Sequence, residues 1–330
     1  IQFGSTNIVS YFGSLKTGFS MADPDYPSLS ILIPAFRQDI SLLVDDLKNQ
    51  ATRILRKWEI IILDDASGEP WKSQYINLAD EKHLFCHTMK ANAGRAAARN
   101  RLAALARYDA LLFMDCDARI IDSEYLPKML AIYDGKSVIT GKTAYTAKRP
   151  PDLLKLLRWK YGVKRESLPA SARRKYPYRS FSTFHFMVPA DIFSRVSFRS
   201  AFTGYGHEDT LFGIDLRRAG IPVLHTDIPL QHDGIDDAEV FLRKTEEAVH
   251  ALAEVVREEG CNGPVRKEVR LIRWYCGIRT LLKVRFIQVL FHVLLPSLKK
   301  RLTGVNPSLF CLDLYKLGLL VSFLHPSGRE

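Results

Sequence analysis

The chain has 330 residues, of which 47% are hydrophobic and 25% charged, and its formal net charge is +11. This composition is typical of a globular protein of one or two domains and excludes a disordered tail, a collagen and a disulfide-rich scaffold. The charge is uneven, because residues 142–179 carry +10 and residues 262–330 carry +9, while the rest of the chain carries −8. Such segregated positive charge indicates an anionic partner: phosphates, an anionic membrane or nucleic acid.

The predicted elements of the first half alternate between strand and helix. Strands are predicted over residues 29–36, 58–63, 84–89, 110–114 and 137–140. Helices are predicted from Asp39 through the leucines at 42–47, over the alanine-rich residues 96–106 and over residues 124–133. This alternation predicts an α/β fold with a largely parallel sheet, in which ligands bind outside the carboxyl ends of the strands.

The second half of the chain contains longer helices. Pro150 and Pro151 open the first basic segment, and a strand is predicted over residues 183–188. Helices are predicted over residues 210–219 and over the acid-rich residues 236–259. We therefore expect an N-terminal extension (1–28), a catalytic domain (29–261, divided into halves 29–141 and 142–261) and a basic helical C-terminal region (262–330).

The cysteines, residues 1–20 and the longest apolar stretch bear on the compartment and on membrane insertion. The five cysteines are odd in number and none has CxxC spacing, which predicts no disulfide framework, no zinc site and a reducing compartment. Residues 1–20 lack a signal-peptide pattern, and Met21 reads like a natural start, so we expect these residues to be a processed or foreign extension. The charge-free stretch Phe286–Leu298 is too short and too interrupted to predict a membrane span.

Carboxylates follow two of the predicted strands directly. Asp115 and Asp117 lie two positions apart after a buried strand, where they can hold Mg²⁺ or Mn²⁺ together with substrate phosphates; the alternative is a solvated turn or a helix cap. Asp65, after the second strand, can cap a turn or accept a hydrogen bond from a nucleotide base or ribose. Gly94 and Arg95 open the alanine-rich helix, and a helix N-terminus favours an anion.

A second group of polar residues lies late in the chain. Asp209 follows Gly206 at the start of a predicted helix, and it is either a helix cap or a general base at the edge of a cleft. His232 is a candidate third metal ligand, and His225 competes with it but lies in an apolar, strand-like run. The glycine patterns of dinucleotide-binding folds and of P-loops are absent from the sequence, which disfavours both.

Several segments together resemble family 2 GT-A glycosyltransferases. In order along the chain they are Leu29–Phe36, Ile61–Ser67, Asn92–Gly94, Ala98–Asn100 and Phe113–Asp117. Gly206–Leu216, followed by Gly220 and His232, looks like the acceptor half of chondroitin-polymerase-type and β1,4-galactosyltransferase-type enzymes, although His207 replaces their second glycine. The resemblance covers residues 29–235 and implies the GT-A fold, which is Rossmann-like with a mostly parallel mixed sheet flanked by helices.

The resemblance also implies an activity and a set of site residues. It implies metal-dependent transfer of a sugar from a nucleotide sugar to an acceptor hydroxyl, with inversion at the anomeric carbon. The expected donor is a UDP-sugar. Residues expected at the nucleotide are Pro34, Ala35, Phe36, Asp65, Gly94, Arg95 and Asp115. Residues expected at a Mn²⁺ or Mg²⁺ ion are Asp115, Asp117 and His232. Asp209 is expected to be the general base, and Gly206, His207 and Glu208 are expected to bind a sugar.

The two basic segments, residues 142–179 and 262–330, are expected to contact anionic partners. The C-terminal pattern of Arg270, Arg273, Arg279, Lys283 and Arg285 among aromatic and apolar residues suits an anionic membrane leaflet, or else a helical layer packed on the catalytic domain. Residues 142–179 are expected to contact a phosphorylated or lipid-linked glycan acceptor through the run that begins at Arg173, or else to form an exposed loop. We therefore predict a glycosyltransferase of cell-surface glycan synthesis, peripheral at the cytoplasmic membrane face and without a nucleic-acid partner. A nucleotidyltransferase and a nucleic-acid-binding protein are the alternatives.

Overall fold

A computed structural model describes residues 26–80, 82–199, 206–263, 265–281 and 284–325. Within these ranges eight strands form one sheet. The strands are β1 (Leu29–Ala35), β2 (Trp58–Asp64), β3 (Leu84–Thr88), β4 (Ala110–Met114), β5 (Ala118–Arg119), β6 (Val138–Ala144), β7 (His185–Pro189) and β8 (Val223–His232). The predicted extension 1–28 lies almost wholly outside the described residues.

The sheet has the strand order β3-β2-β1-β4-β7-β6-β8-β5. Strands β1 to β4 run parallel to one another, β7 is antiparallel to both β4 and β6, and β8 is parallel to β6 and antiparallel to β5. The sheet is therefore mixed and mostly parallel, which confirms the predicted α/β class. Every residue of β1, β2 and β4 is buried, because helices cover both faces of the sheet.

The helices follow the strands along the chain. In the first half they are α1 (Ser41–Ile54), α2 (Trp71–Leu78), α3 (Gly94–Leu105), α4 (Tyr125–Ile132), α5 (Leu156–Tyr161), α6 (Ala170–Arg173) and α7 (Ala190–Arg195). In the second half they are α8 (Glu208–Arg218), α9 (Ala238–Glu259), α10 (Val265–Glu268), α11 (Arg270–Leu281), α12 (Val284–Leu302) and α13 (Leu309–Leu324). A single-turn π-helix, Gly162–Glu166, continues α5.

Alternate residues of the central strands enter two separate cores. On one face Ile31 and Ile33 of β1 pack with residues of α1 and α4, such as Leu47 and Met129. On the other face Leu32 packs with α3 and with a cluster of phenylalanines from β4, β7, α7 and α8. This two-sided burial holds the carboxyl ends of β1, β2 and β4 rigidly at one edge, where the candidate site lies.

The C-terminal helices form a third core. Leu320 of α13 packs with α9 and α11, and Leu157 of α5 joins the same cluster. Ile272 and Tyr275 of α11 are buried there, so α11 is part of a packed helical layer rather than a free amphipathic helix on a membrane. The side chains of Arg279, Lys283 and Arg285 lie outside the described residues.

Two further findings concern the C-terminal region. Cys261 and Cys276 form a disulfide with their Cα atoms 5.9 Å apart, so the expectation that the cysteines form no disulfides is wrong for this pair. The two residues are separated by 15 positions, a spacing that matches no short cysteine motif, and only the packing of α11 brings them together. Among the described residues, no helix is long and apolar enough to cross a membrane.

Candidate functional site

The ends of β1 and β2 hold the residues expected at the nucleotide. Pro34 and Ala35 are buried in the last positions of β1, while Phe36, just beyond the strand, is 42% exposed and open to a ligand. Arg37 follows in a left-handed conformation with φ 51°, and its backbone N–H donates to Ser67 Oγ at 3.0 Å. This turn ties the loop after β1 to the loop after β2.

Asp65 joins the end of β2 to the start of α3. Its carboxylate accepts hydrogen bonds from the backbone N–H groups of Ala93 (2.8 Å) and Gly94 (2.9 Å), which satisfies donors at the N-terminus of the helix. Gly94 takes a positive φ of 84° to present its N–H in this way. Each carboxylate oxygen can accept a second hydrogen bond, so contact between Asp65 and a base stays a prediction.

A buried arginine connects the two halves of the chain. Arg99, on the inner face of α3, is fully buried, and its Nη2 donates to Asp115 Oδ1 at 2.5 Å. Its Nη1 lies 3.7 Å from Glu208 Oε1, at the start of α8. Arg95, one turn earlier, lies 3.9 Å from the other oxygen of Asp115. Asp115 is therefore paired with two arginines. The Arg99 guanidinium lies between Asp115 and Glu208 at the start of α8.

Asp117, directly before the short strand β5, faces His232 at the end of β8. The pairing of β5 with β8 places His232 opposite Ala118, and His232 Nε2 lies 3.5 Å from Asp117 Oδ2. Asp117 Oδ1 and His232 Nδ1 are both buried without a hydrogen-bond partner. Gly234 fits closely against this pair, because a Cβ atom there would lie 2.7 Å from Asp117 Oδ2.

These two side chains fit a divalent cation. Orphaned buried carboxylate and imidazole atoms need a partner, and Mg²⁺ is typically bound by one or two carboxylates together with substrate phosphates and water. Among the residues that the structure describes, no group of three or more His, Cys, Asp or Glu side chains is arranged to hold a metal. Asp115 faces Arg99 instead, so the structure brings together Asp117 and His232, and the three-residue metal set stays a prediction.

His225 is engaged elsewhere. It is buried in β8, where Pro177 O lies 2.8 Å from its Nε2 and Arg173 Nη1 lies 3.0 Å from its Nδ1. Burial lowers the pKa of His225 to about 4, which keeps the ring neutral. Arg173 is itself buried and donates to Gly141 O at 2.8 Å. The expectation that Arg173 contacts the acceptor is therefore wrong, because it fastens α6 to the sheet.

Another arginine of the first basic segment reaches the site. Arg158 of α5 donates to Glu166 Oε2 at 3.0 Å and to the hydroxyl of Tyr145 at 2.9 Å. Its Nη2 also lies 3.5 Å from His232 Nε2, and the ring of Tyr145 stacks on the ring of His232. Burial by itself would lower the pKa of Arg158, but the charge of Glu166 and the interaction with Tyr145 outweigh it and raise the pKa, so a permanent cation lies beside the Asp117–His232 pair.

The start of α8 presents the candidate base. His207 precedes the helix in a left-handed conformation with φ 68°, at the position where the resembled enzymes carry glycine. Asp209 accepts a hydrogen bond from the backbone N–H of Thr210 at 2.6 Å. Burial, and then the charge of Glu208, raise the pKa of Asp209 to about 6, so this carboxylate can take up a proton near neutral pH.

His207 and Asp209 line a cavity of about 460 Å³ between α5, α8, α9, α11 and α13. The wall includes the cations Arg158, Arg165, Lys244, Arg270 and Lys316. Lys316 Nζ lies 4.6 Å from the centre of the Tyr161 ring, and Arg270 lies 4.2 Å from that of Trp274. The cavity therefore combines a candidate base with cations and aromatic faces.

Two residues that connect these parts were not predicted as site residues. Arg99 is buried on α3 together with Ala98 and Leu102. A charged residue among the apolar residues of a helix was the signal in the sequence that could have identified it. Arg158 carried no comparable signal, since it is one of twelve basic residues in its segment. The structure places Phe36 and Asp65 at the edge of the sheet and Asp209 at the wall of the cavity, and their roles stay predictions.

Comparisons with known proteins identify the family of this chain. The sequence profile of Glycosyl transferase family 2 matches residues 30–196, about half of the chain. A validoxylamine A glucosyltransferase from Streptomyces hygroscopicus subsp. limoneus is 26% identical over 292 residues, an alignment that covers 75% of this chain and 64% of that protein. A dolichyl-phosphate beta-glucosyltransferase from Trichomonas vaginalis is 28% identical over 170 residues, covering 45% of this chain and 53% of that protein.

A solved structure shares the fold. The mannosyltransferase PcManGT from Pyrobaculum calidifontis, in complex with GDP-Man and Mn²⁺, matches with a TM-score of 0.55 at 14% identity. The match covers 92% of this chain and 88% of that one, so it includes the C-terminal helices as well as the sheet. At this identity the match shows the fold, and it confirms the predicted GT-A architecture.

Proposed function

Because the chain belongs to glycosyl transferase family 2 and is a glycosyltransferase, we propose that it transfers a sugar from a UDP-sugar to an acceptor hydroxyl with inversion at the anomeric carbon. The observation that carries the proposal is the placement of two groups around Arg158. This guanidinium lies 3.5 Å from His232 of the Asp117–His232 pair and also lines the cavity that holds Asp209. One site thus has a place for a diphosphate and a place for an acceptor.

The donor side lies along the edge of the sheet. Phe36 offers an exposed ring to the base, and Asp65 and the N-terminus of α3 lie beside it in the fold. Arg95 and Arg99 add positive charge beside Asp115, which is expected to contact the ribose. Asp117 and His232 would hold Mn²⁺ or Mg²⁺, as the PcManGT complex with Mn²⁺ also suggests for this fold. When bound, the cation neutralises charge on the diphosphate leaving group.

The acceptor side performs the proton transfer. Asp209 takes the proton of the acceptor hydroxyl, whose oxygen forms a bond to the anomeric carbon as the bond from that carbon to the diphosphate breaks. Arg158 stabilises the negative charge that develops on the departing diphosphate, because a permanent cation in a partly buried site is only weakly screened. Gly206, His207 and Glu208 surround the base and are expected to position the sugars.

The cavity supports an acceptor that has both an anionic and an apolar part. Lys316 and Arg270 lie over aromatic rings, and Phe241, Val249 and Leu252 add apolar wall. Such a lining suits a phosphorylated or lipid-linked glycan, which supports a role in cell-surface glycan synthesis. A lipid-linked acceptor is anchored in a membrane. We therefore propose that the enzyme lies peripherally at the cytoplasmic face of that membrane.

The donor proposal is tested by ligand-linked thermal stability. The panel contains UDP-, GDP- and dTDP-sugars, each with and without Mn²⁺. A ligand that binds the folded protein raises its free energy of unfolding by about 2.7 kcal/mol when present at about one hundred times its Kd. We expect a UDP-sugar to raise the unfolding temperature only with Mn²⁺. A larger rise with a GDP-sugar would overturn the choice of UDP. Release of pyrophosphate from a nucleoside triphosphate, instead of UDP from a UDP-sugar, would identify a nucleotidyltransferase and refute the proposal.

A further inference from the structure

Helix α12 is apolar on two opposite faces, and within the described part of the chain only one of them is covered. Phe291 and Leu302 are buried against the C-terminal core, and Phe291 contacts Gly318 of α13 so closely that a Cβ atom there would lie 2.8 Å from its ring. On the opposite side, large apolar side chains recur at the spacing of one helix face. They are Phe286, Val289, Leu290, Val293 and Leu294, and they are between 38% and 68% exposed.

This second face, which we call the outer face of α12, is unusual for a protein surface. Side chains three and four positions apart are neighbours on a helix, so the five residues form one continuous apolar stripe. Contiguous apolar patches on soluble proteins commonly mark interaction sites, because apolar area left in contact with water is unfavourable. The outer face therefore needs an occupant.

The charges around the stripe favour an anionic lipid surface. The sequence Val284–Leu302 contains no Asp or Glu, and the helix ends with the exposed cations Lys299, Lys300 and Arg301. An apolar face joined to a basic end is the pattern of helices that lie in the membrane interface. The charge-free stretch Phe286–Leu298 is about 20 Å long as a helix, which is shorter than a span and suits a helix lying flat.

We propose that the outer face of α12 inserts into an anionic membrane leaflet, with Lys300 and Arg301 at the lipid headgroups. This inference rests on the proposed function only in the choice of a membrane as the partner, and it replaces α11 by α12 as the contacting helix. It also has a geometric consequence. Helix α13 packs on the inner face of α12 and contributes Asp313 and Lys316 to the cavity. Membrane docking through α12 therefore couples the acceptor cavity to the leaflet through one helix.

The experiment uses the full chain and vesicles of phosphatidylcholine, with or without phosphatidylglycerol, in a sedimentation assay. The face variant carries Phe286→Gln, Val289→Gln and Val293→Gln, all at exposed positions. The matched control carries Leu42→Gln and Ile76→Gln, which replace exposed apolar residues on α1 and α2. We expect the wild type and the control to bind anionic vesicles, and the face variant to bind at least tenfold more weakly.

The charges and the competing occupant are tested separately. Replacing Lys300 and Arg301 by Gln should weaken binding to anionic vesicles by about tenfold or more, and should leave binding to phosphatidylcholine unchanged. Wild-type affinity in the face variant, or no binding of the wild type to anionic vesicles, would overturn the proposal. So would sedimentation velocity without lipid that shows a wild-type dimer and a monomeric face variant, because a second copy would then cover the stripe.

The same variants separate this proposal from the proposed function. The outer face of α12 lies away from the residues assigned to donor and acceptor, so the face variant should hydrolyse the UDP-sugar at the wild-type rate. Loss of vesicle binding with retained hydrolysis supports both proposals. If the face variant keeps both vesicle binding and hydrolysis, only the membrane proposal is contradicted. If vesicle binding depends on the stripe but the wild type turns over no nucleotide sugar, only the proposed function is contradicted.

Discussion

Replacement of Asp209 by Asn tests the candidate base through stability as well as through rate. The change keeps the shape of the side chain and removes its charge. Burial, and next the charge of Glu208, raise the pKa of Asp209 from an ordinary value of 3.8 to about 6. A rise of this size corresponds to about 3 kcal/mol, because each pKa unit is worth about 1.4 kcal/mol.

The sign of the effect follows from the raised pKa. The folded protein holds a proton on Asp209 more tightly than the unfolded chain does, so the stability that this group contributes at acidic pH is lost as the pH rises from about 4 to about 6. Above about pH 6 the wild type carries the full cost of an ionised, partly buried carboxylate. The D209N variant has no such cost, and it should therefore be more stable than the wild type by up to about 3 kcal/mol at pH 7, but not at pH 4.

Urea unfolding between about pH 4 and about pH 8 measures this difference directly. In parallel, hydrolysis of the donor sugar should rise with an apparent pKa near 6 in the wild type. The D209N variant should lose about two to four orders of magnitude in rate, the usual contribution of a general base. Glu208→Gln is the matched control, because removal of its charge should lower the apparent pKa of Asp209. A stability difference that does not change with pH, or a D209N variant with the wild-type rate, would argue against Asp209 as the base.

Three further predictions concern other parts of the structure. Arg99→Met should lower the free energy of unfolding by up to about 3 to 5 kcal/mol, since it removes the hydrogen-bonded partner of the Asp115 carboxylate and leaves it with the more distant Arg95, and Asp115→Asn in the same chain should restore part of the loss in urea unfolding. Gly234→Ala should weaken Mn²⁺ binding about tenfold or more in calorimetric titration, because its methyl group displaces Asp117; unchanged affinity would argue against this metal position. Reduction of the disulfide in the C-terminal layer should lower stability by about 3 kcal/mol, measured in urea with and without reductant.

The sequence predicts the central sheet well and the site only in part. Strands β1, β2 and β4 are recognisable because both of their faces are buried, so they read as unbroken apolar runs between turn signals. Helix α3 is recognisable from its alanine content and begins within two residues of the prediction. These elements depend on local pattern, which a single sequence contains.

The remaining features depend on contacts between distant segments. His232 meets Asp117 only because β5 pairs with β8, and β5 is too short to leave a pattern in the sequence. Arg173 and Arg158 look alike in a basic segment, yet Arg173 is buried against β8 and Arg158 reaches the site, since each is placed by its own helix. The exposed stripe of α12 likewise becomes visible only when its inner face is known to be covered.

In the proposed reaction, Asp117 holds the cation that binds the diphosphate, and Asp209 acts later as the base. Calorimetric titration of UDP, with and without Mn²⁺, tests this division most directly in the wild type, in Asp117→Ala and in Asp209→Asn. We expect Asp117→Ala to lose Mn²⁺-dependent UDP binding, and Asp209→Asn to keep it while losing hydrolysis of the donor sugar. Mn²⁺-dependent binding that survives in Asp117→Ala, or that disappears in Asp209→Asn, would contradict the roles proposed for these two residues.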